Sequence, residues 1–487
     1  MFPDLKPSAC SRALALSPLT WMIGASALIL FGCSSLRHAL FQSNAFDLGY
    51  FDQALYLISQ GQTPIVSFWG YHFMGGHADW VIYGLALLYK IYPDVHWLFA
   101  VQAVALALGA LPTFYLARQA GLKESQATAM AGVYLLYPLI FNLNLFDFHP
   151  EVMALPAILG AILAARHSSQ PSLTQGGWFC LAIAFILGCR DALSLTVAAM
   201  GLWLLVFEKK RWCGAIALFA GIAWFLIATK VVIPAFRPGG VEAVARYAFL
   251  GNSVLEIAKN LLLQPGLVLA RIFTLPNLEY LCLLLSPLIW GLSPQHLTPL
   301  VGAIPTLALN LITDYQPQKD LVHQYSLPAL PFLLLAVIST LAAGKGWVQN
   351  RRGIILWALV AFIALAKFGH FGSLYLQTLD TWQATREAIA QIQTKGSVLT
   401  PAEVAPHLTH RPVVKLAITS SQSANLAEFE YVLLNLRHPG WQSSPQVAGS
   451  FLERVKKAPE FQLTYQRDKV FLFKKKLNGE KGDRLQP

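Results

Sequence analysis

The sequence has few charged residues for its length. Lys, Arg, Asp and Glu make up 13% of the 487 residues and 55% are hydrophobic, whereas an average soluble domain has about 25% charged residues. This shortage excludes an ordinary soluble enzyme and a disordered chain. It is also uneven, because residues 377–487 hold 25 charged residues in 111 positions and residues 1–376 hold only 36. We therefore predict a membrane domain over 1–376 and a soluble domain over 377–487.

Cysteine pairing, internal repeats and concentrated basic charge are absent as well. The six cysteines include no CxxC pair and no framework spacing, so neither a zinc site nor a disulfide-stapled domain is indicated. The net charge of +11 forms no basic stripe, and we expect no nucleic-acid partner. Basic loops that face anionic lipid explain this charge more simply.

Eleven apolar segments predict an α-helical polytopic protein of the cytoplasmic (inner) membrane, since one span needs roughly 20 apolar residues. They are residues 18–36, 95–117, 126–146, 152–165, 177–189, 192–207, 213–233, 278–292, 297–312, 327–343 and 354–371. Lys and Arg concentrate in the short loops between some of them, and such loops are typically cytoplasmic. The N-terminus is then cytoplasmic and the tail domain extracytoplasmic.

Two apolar stretches are ambiguous as membrane spans. Residues 79–92 number only 14, about 21 Å of helix, and we predict that they lie along the outer interface. Residues 177–207 have basic flanks on both sides, so we predict two short helices with Arg190-Asp191 as the turn between them.

The tail has the pattern of a small α/β domain. Residues 380–393 are helical in pattern, with Asp380 or Thr381 as the N-cap and Gly396 closing the helix. Short β-type runs follow at 397–400, 413–417, 431–436 and 469–473. The alternation of helix and strands predicts a partly parallel sheet.

The predicted external segments contain every concentrated group of polar, chemically capable residues. These segments are residues 37–94, 147–151 and 234–277, with the connection 313–326. Clustering of such residues on one face of the membrane indicates where a function would lie.

Asp47 lies in the motif SNAFDLGYFDQ of the first external segment. One interpretation is that it caps the helix that begins there, by accepting backbone N–H bonds. The other interpretation is a general base or a metal ligand at the membrane surface. A helix N-terminus lowers the pKa of a carboxylate, which suits metal binding better than proton abstraction. Asp52 is five positions on, about 140° around the helix, so the two carboxylates do not share a face. Gln53 follows it as a further candidate.

A second group, His72, His77 and Asp79, lies in the motif YHFMGGHADW. The two glycines let the backbone bend sharply, so either histidine could turn back toward Asp47. The His-x-Asp pair could ligate a metal or form an oriented base. Alternatively, the segment anchors the protein in the headgroup layer, where His and Trp are both favoured.

The segment from Asp147 to Glu151 is the strongest local signal. It places Asp147, His149 and Glu151 between two apolar helices. Pro150 and Glu151 suit the first turn of the second helix, but that interpretation leaves Asp147 and His149 unexplained. Two carboxylates with an imidazole would suit a divalent cation such as Mn²⁺ or Mg²⁺, or an acceptor group.

Arginines in the external segments are candidates for binding a phosphate. Arg190 is either one half of a salt bridge in its turn or a fixed cation whose planar fork binds phosphate in two places. Arg246-Tyr247 and Gln324-Tyr325 are further external candidates. Taken singly, each is also typical of a solvated surface or of a headgroup contact.

The motifs FDLGYFDQALY, HFMGGHADW, FDFHPE, ARYAFLG and HQYSLPALPF occur in this order. In that order they resemble an uncharacterised family of predicted polytopic membrane proteins of bacteria and archaea, defined as a domain of unknown function. That family in turn resembles the GT-C glycosyltransferases, which use polyprenyl-phosphate sugars at the outer face of the membrane.

The resemblance implies roles for particular residues. In GT-C enzymes an acidic residue of the first external loop is the catalytic base or a metal ligand, and Asp47 matches it. A second acidic motif in the next external loop matches Asp147 and Glu151. The first loop here lacks a clear Asp-x-Asp pair, which departs from the GT-C pattern.

These observations lead to one main hypothesis and two alternatives. The main one is a transferase of the cell envelope that moves a hexosyl or pentosyl group from a polyprenyl phosphate to an extracytoplasmic glycan, lipid or protein. Asp47 would act as base with inversion, and Arg190, Arg246 and Tyr247 would bind the donor phosphate. The alternatives are a transporter or lipid-carrier flippase, and a catalytically silent scaffold that binds the lipid carrier.

Overall fold

The structure, a computed structural model, describes residues 17–167 and 173–476. The predicted cytoplasmic N-terminus lies outside the described residues. The chain folds into two compact units. Within the described residues the first comprises 17–34, 74–82 and 96–367, and the second comprises 35–73, 83–95 and 368–476.

Helices dominate the chain. In order they are α1 Pro18–Ala39, α2 Tyr50–Ser59, α3 Met74–His77, α4 Val81–Ile91, α5 His96–Leu108, α6 Ala110–Gln119, α7 Glu124–Leu135, α8 Pro138–Phe146, α9 Glu151–His167, α10 Leu173–Cys189, α11 Leu193–Val206, α12 Arg211–Ile227, α13 Ile233–Phe236, α14 Val254–Leu263, α15 Pro265–Ile272, α16 Leu275–Leu285, α17 Ile304–Ile312, α18 Leu330–Ala342, α19 Arg351–Leu365, α20 Phe368–Leu376, α21 Leu379–Ala390 and α22 Pro445–Lys457. Short 3₁₀ and π turns connect several of them.

Many helical segments are suited to a membrane. In the described ranges, six are long and apolar enough to cross one, and a seventh is present if the bent pair α15 and α16 counts as one span. The six are Pro18–Ala39, His96–Gln119, Glu124–Phe146, Arg211–Phe236, Gln316–Ala342 and Arg351–Leu376. Four shorter apolar helices add to them: Val81–Ile91, Thr174–Cys189, Leu193–Val206 and Thr298–Ile312. The predicted helical membrane fold is confirmed, whereas the number eleven and the sidedness stay predictions.

Breaks within the apolar segments fall where the sequence dictates them. The predicted pair of short helices in 177–207 is confirmed, because α10 ends at Cys189 and α11 begins at Leu193. The predicted span 126–146 matches one apolar candidate span, Glu124–Phe146, within which a short break separates α7 from α8. Pro138 occupies the first turn of α8, where its missing N–H costs nothing, but it cannot continue a preceding helix.

Helices α11 and α12 approach each other backbone to backbone. A methyl group added at Gly201 would come within 2.7 Å of the Gly214 carbonyl oxygen, and one added at Gly221 within 2.6 Å of the Ala198 nitrogen. Small residues at such contacts are typical of helices that pack within a membrane, because they let the backbones meet.

We expect Gly201→Ala to lower the free energy of unfolding by about 1–3 kcal/mol, the usual cost of overpacking. The measurement is a denaturant titration in mixed micelles. Gly176→Ala on α10 is the matched control, since no atom of the described residues lies within 4 Å of its added methyl. Equal stability of the two variants would contradict the close packing.

The second unit contains a five-stranded sheet. Its strands are β3 Val398–Thr400, β4 Val414–Leu416, β5 Tyr431–Asn435, β6 Phe461–Arg467 and β7 Val470–Lys475. A separate hairpin pairs β1 Ile65–Val66 with β2 Tyr71–His72.

The strand order is β4-β3-β5-β7-β6. Strand β3 runs parallel to both of its neighbours, and the other two pairs are antiparallel. The predicted partly parallel sheet is therefore confirmed.

Two details of the tail differ from the prediction. Strand β6 was not predicted, because most of its side chains are exposed and the stretch FQLTYQR has little apolar character. Helix α21 runs from Leu379 to Ala390 and has no side-chain cap, so the cap assigned to Asp380 or Thr381 is wrong. The Asp380 carboxylate instead pairs with Arg437 and His438, and the helix ends before Gly396 is reached.

The compact unit around the sheet is larger than the tail 377–487. It includes residues 35–73 and 83–95 of the predicted first external segment. The domain boundary between residues 376 and 377, which the composition predicts, stays a prediction. The compact unit itself includes residues on both sides of that boundary.

Candidate functional site

The first unit contains an open cavity of about 380 Å³ with a mixed lining. Its charged and polar lining residues include His77, Glu151, Arg190, Asp191, Arg246, Tyr247, Asn310, Gln318, Gln324 and Tyr325. Its apolar lining includes Leu193, Leu195, Phe225, Val244, Ile257, Leu261 and Leu309. Several residues that the sequence predicted separately are therefore brought together in one place.

Arg190 is at the centre of the charged group. Its guanidinium donates to the Glu151 carboxylate and, at 2.6 Å, to Nε2 of His77. The other nitrogen of His77 lies 3.2 Å from the Asp191 carboxylate. Burial and the adjacent Arg190 lower the pKa of His77, so the neutral imidazole, accepting from Arg190 and donating to Asp191, is favoured.

Three chain segments build this group. Glu151 begins α9 directly after Pro150, Arg190 and Asp191 occupy the break between α10 and α11, and His77 ends the short helix α3. The Asp191 amide also donates to the His77 carbonyl at 3.0 Å, which fixes the two segments together. Arg190 does form a salt bridge, but with Glu151 and not within its own turn. Its role in binding a phosphate stays a prediction.

Asp79 is fully buried beside this group. Neither of its carboxylate oxygens has a hydrogen-bond partner among residues 17–167 and 173–476. Burial raises the pKa of Asp79 well above its ordinary value, Arg190 opposes that shift, and Glu151 and Asp191 add to it. His77 takes Asp191 as its carboxylate partner, so the predicted His-x-Asp pairing of His77 with Asp79 does not form.

The loop from Asp147 to His149 is held by a residue that sequence reasoning missed. Gln102 of α5 donates to the Asp147 carbonyl at 3.1 Å and accepts from the His149 amide at 3.1 Å. The His149 ring lies 3.2 Å from the same carbonyl and stacks on Phe146. In the sequence, Gln102 could have been noticed as an amide side chain within an otherwise apolar helical segment.

The structure gives no direct support to a metal centre. In residues 17–167 and 173–476, no group of three or more His, Cys, Asp and Glu residues could hold a metal ion. Glu151 uses one oxygen on Arg190, and its other oxygen has no hydrogen-bond partner. The divalent cation stays a prediction.

Arg246 lies in the same cavity and packs against two neighbouring aromatic rings. Its guanidinium carbon is 4.4 Å from the centroid of Tyr315 and 5.2 Å from that of Tyr325. It donates to the Gln318 side chain at 3.2 Å, and the Gln318 amide donates to the Tyr247 hydroxyl at 3.1 Å. Gln318 was not predicted from the sequence.

Asp47 and its neighbours belong to the second unit. Asp47 is partly exposed in a π-helical turn, Ala45–Gly49, whose cap is Asn44; the Asn44 side chain accepts from the Phe46 amide at 2.9 Å. The interpretation of Asp47 as the helix cap is therefore wrong. Asp52 and Gln53, in α2, are buried.

His72 also belongs to this unit. It lies in β2, is partly exposed, and burial lowers its pKa.

The comparisons with known proteins agree with this architecture. The fold matches ArnT from Cupriavidus metallidurans in the apo state with a TM-score of 0.53 at 10% identity, covering 96% of this chain and 98% of that one. A second structure, of ArnT bound to undecaprenyl phosphate, matches with a TM-score of 0.49 at 10% identity, covering 94% and 98%. None of the curated proteins matches the sequence significantly.

The chain thus has an ArnT-like GT-C fold, which is a polytopic helical membrane architecture. Within that architecture, the profile of the predicted membrane protein family DUF2079 matches residues 37–472. This chain belongs to that family.

Proposed function

We propose that the protein is a membrane glycosyltransferase that moves a sugar from a polyprenyl phosphate to an extracytoplasmic acceptor. The observation that supports this most is the cavity of about 380 Å³, whose lining combines arginines and amides with a wall of apolar side chains. A polyprenyl phosphate has the same division into an anionic group and an apolar chain. Pockets for amphiphilic ligands typically place a few polar groups among apolar ones.

Arg246 is the better candidate for the donor phosphate. Arg190 is already neutralised by Glu151, whereas Arg246 forms no salt bridge in the part of the chain that the structure describes and contacts the neutral Gln318. Contact with two aromatic rings restricts the orientation of the guanidinium fork, which suits binding to two phosphate oxygens. We therefore assign the phosphate to Arg246, with Tyr247 beside it, and a supporting role to Arg190.

The chemical step follows from general base catalysis. Asp47 would take the proton of the acceptor hydroxyl while the acceptor oxygen bonds to the anomeric carbon. The bond from that carbon to the phosphate oxygen would break, with its electron pair leaving on the phosphate, and attack opposite the leaving group would invert the anomeric centre. Arg246 would stabilise the negative charge on the departing phosphate.

We expect Arg246→Gln to weaken binding of undecaprenyl phosphate by about tenfold or more, as is usual for the loss of a hydrogen-bonded charge. The measurement is titration of the lipid into protein reconstituted in phosphatidylcholine nanodiscs. Arg237→Gln is the matched control, because Arg237 is an arginine of the same loop that pairs with Glu242 and does not line the cavity. An unchanged affinity in R246Q would remove the phosphate assignment.

Transfer itself is tested with radiolabelled polyprenyl-phosphate sugars and membranes that contain the candidate acceptors. Label moved to an acceptor by the wild-type protein supports the transferase. Carrier binding without any transfer would instead favour the catalytically silent scaffold. Movement of the lipid across a proteoliposome membrane without transfer would favour the flippase.

A further inference from the structure

Asp52 is a buried charge with an unusual number of partners. Its side chain is 1% exposed. The Tyr89 hydroxyl donates to it at 2.6 Å, the Thr409 hydroxyl donates to its second oxygen, and Nε2 of His410 lies 3.3 Å away. The Asp52 carboxylate thus joins its own helix, α2, to two other stretches of the second unit, which are α4 and the loop before β4.

Other contacts fasten the same region. The Ala45 amide, in the turn that contains Asp47, donates to the Ala402 carbonyl at 3.1 Å. Gln53, next to Asp52, donates to the Arg411 carbonyl at 3.1 Å. The segment around Asp47 is therefore attached at several points to residues 402–411 of the C-terminal part.

We propose that Asp52 and His410 form a latch that positions the Asp47 turn on the C-terminal sheet domain. This inference rests on the proposed function, since it makes Asp52 a positioning residue for the Asp47 base. Asp47 lies in the turn Ala45–Gly49, which leads directly into α2 and Asp52, so tilting α2 would displace the Asp47 carboxylate. Displacements of about 1 Å in a reacting group can cost about a hundredfold in rate.

The latch should respond to pH. The other groups that face His410 are Tyr56, whose ring stacks on it at 4.9 Å, and Lys395 and Asp94. Burial lowers the pKa of His410, but the Asp52 charge and hydrogen bond outweigh it, so the pKa lies above the ordinary 6.5. Burial raises the pKa of Asp52, but His410 and the hydroxyl donors outweigh that and hold it below 3.8.

The direction of the effect follows from these two shifts. The latch is closed when Asp52 and His410 are in contact and open when they are apart. In the open state both groups have their ordinary pKa. The pair therefore stabilises the closed latch fully between about pH 4 and 6.5, the ordinary pKa values of an aspartate and a histidine. The stabilisation is lost as the pH rises through the raised pKa of His410, and also as it falls through the lowered pKa of Asp52.

The test is hydrogen exchange of the full-length protein in phosphatidylcholine nanodiscs, without donor or acceptor. Protection factors of peptides from residues 43–59, corrected for the intrinsic pH dependence of exchange, are compared from pH 5 to 9. In the wild type we expect protection to fall as the pH rises. In Asp52→Asn we expect protection at low pH to fall on the order of tenfold to a hundredfold, because a charged hydrogen-bonded pair is lost.

His410→Gln should remove the pH dependence, and His438→Gln should leave it intact. His438 is a matched control because it pairs with Asp380 in the same unit at 2.7 Å without contacting the segment. A pH-independent wild type, or an unchanged pH dependence in H410Q, would overturn the latch. The pH profile of transfer, measured separately, should shift with H410Q; an intact latch in a protein that transfers no sugar would refute only the proposed function.

Discussion

Asp47→Asn is expected to lower the rate of sugar transfer by a factor of roughly 10²–10⁴, the usual contribution of a general base. The amide has almost the shape of the carboxylate but cannot take the acceptor proton. Because Asp47 is partly exposed in its turn and the cap is Asn44, we expect the variant to fold. Binding of undecaprenyl phosphate should be unchanged, since the arginines of the cavity are untouched.

The measurement is initial transfer rate with labelled donor, alongside the affinity for the lipid carrier. Asp468→Asn, an exposed aspartate in the turn between β6 and β7, should behave like the wild type. Undiminished transfer in D47N would end the assignment of Asp47 as the base. A parallel loss of carrier binding would show instead that Asp47 acts by holding the structure.

The second large effect concerns stability. Arg190→Met should lower the free energy of unfolding by about 3–5 kcal/mol, because it leaves the Glu151 charge buried without its partner. The side chains of the two residues are 11% and 4% exposed, so solvent gives little compensation. Replacing both residues by Met should recover much of the loss, since an apolar pair of similar volume is often tolerated.

Denaturant titration of the single and double variants in mixed micelles gives the coupling energy directly. Arg437→Met is the matched control, because its salt bridge with Asp380 is largely exposed and such pairs contribute at most about 1 kcal/mol. If R190M and R437M cost the same, Arg190 does not hold this group together.

The helical architecture could be predicted because each helix depends on its own residues. Runs of apolar residues located the membrane segments, and the basic flanks of residues 177–207 predicted the break between α10 and α11 at Arg190-Asp191. Where the structure differs in detail, a nearby residue explains it. Pro138 follows the break within the span Glu124–Phe146, and Asn44 takes the cap position that Asp47 could have provided.

The surroundings of individual side chains could not be predicted in the same way. Asp52 was only a candidate beside Asp47, because its partners Tyr89 and Thr409 lie 37 and 357 positions away in the chain. Glu151 had the spacing of a metal ligand, but its position against Arg190 depends on how α9 meets the α10–α11 break. A short motif shows that a charged residue is present, but it does not show which distant residue pairs with it.

The glycine contact between α11 and α12 limits how the cavity can change size. Both helices contribute lining residues, Leu193 and Leu195 from one and Phe225 from the other. At the glycine contacts the two backbones already touch. These two helices therefore cannot move closer together there, and the part of the cavity wall that they form is rigid. Helix α14, which also lines the cavity, has no buried residue, so it is the more compliant wall, and a wider or longer ligand would be accommodated by displacing α14.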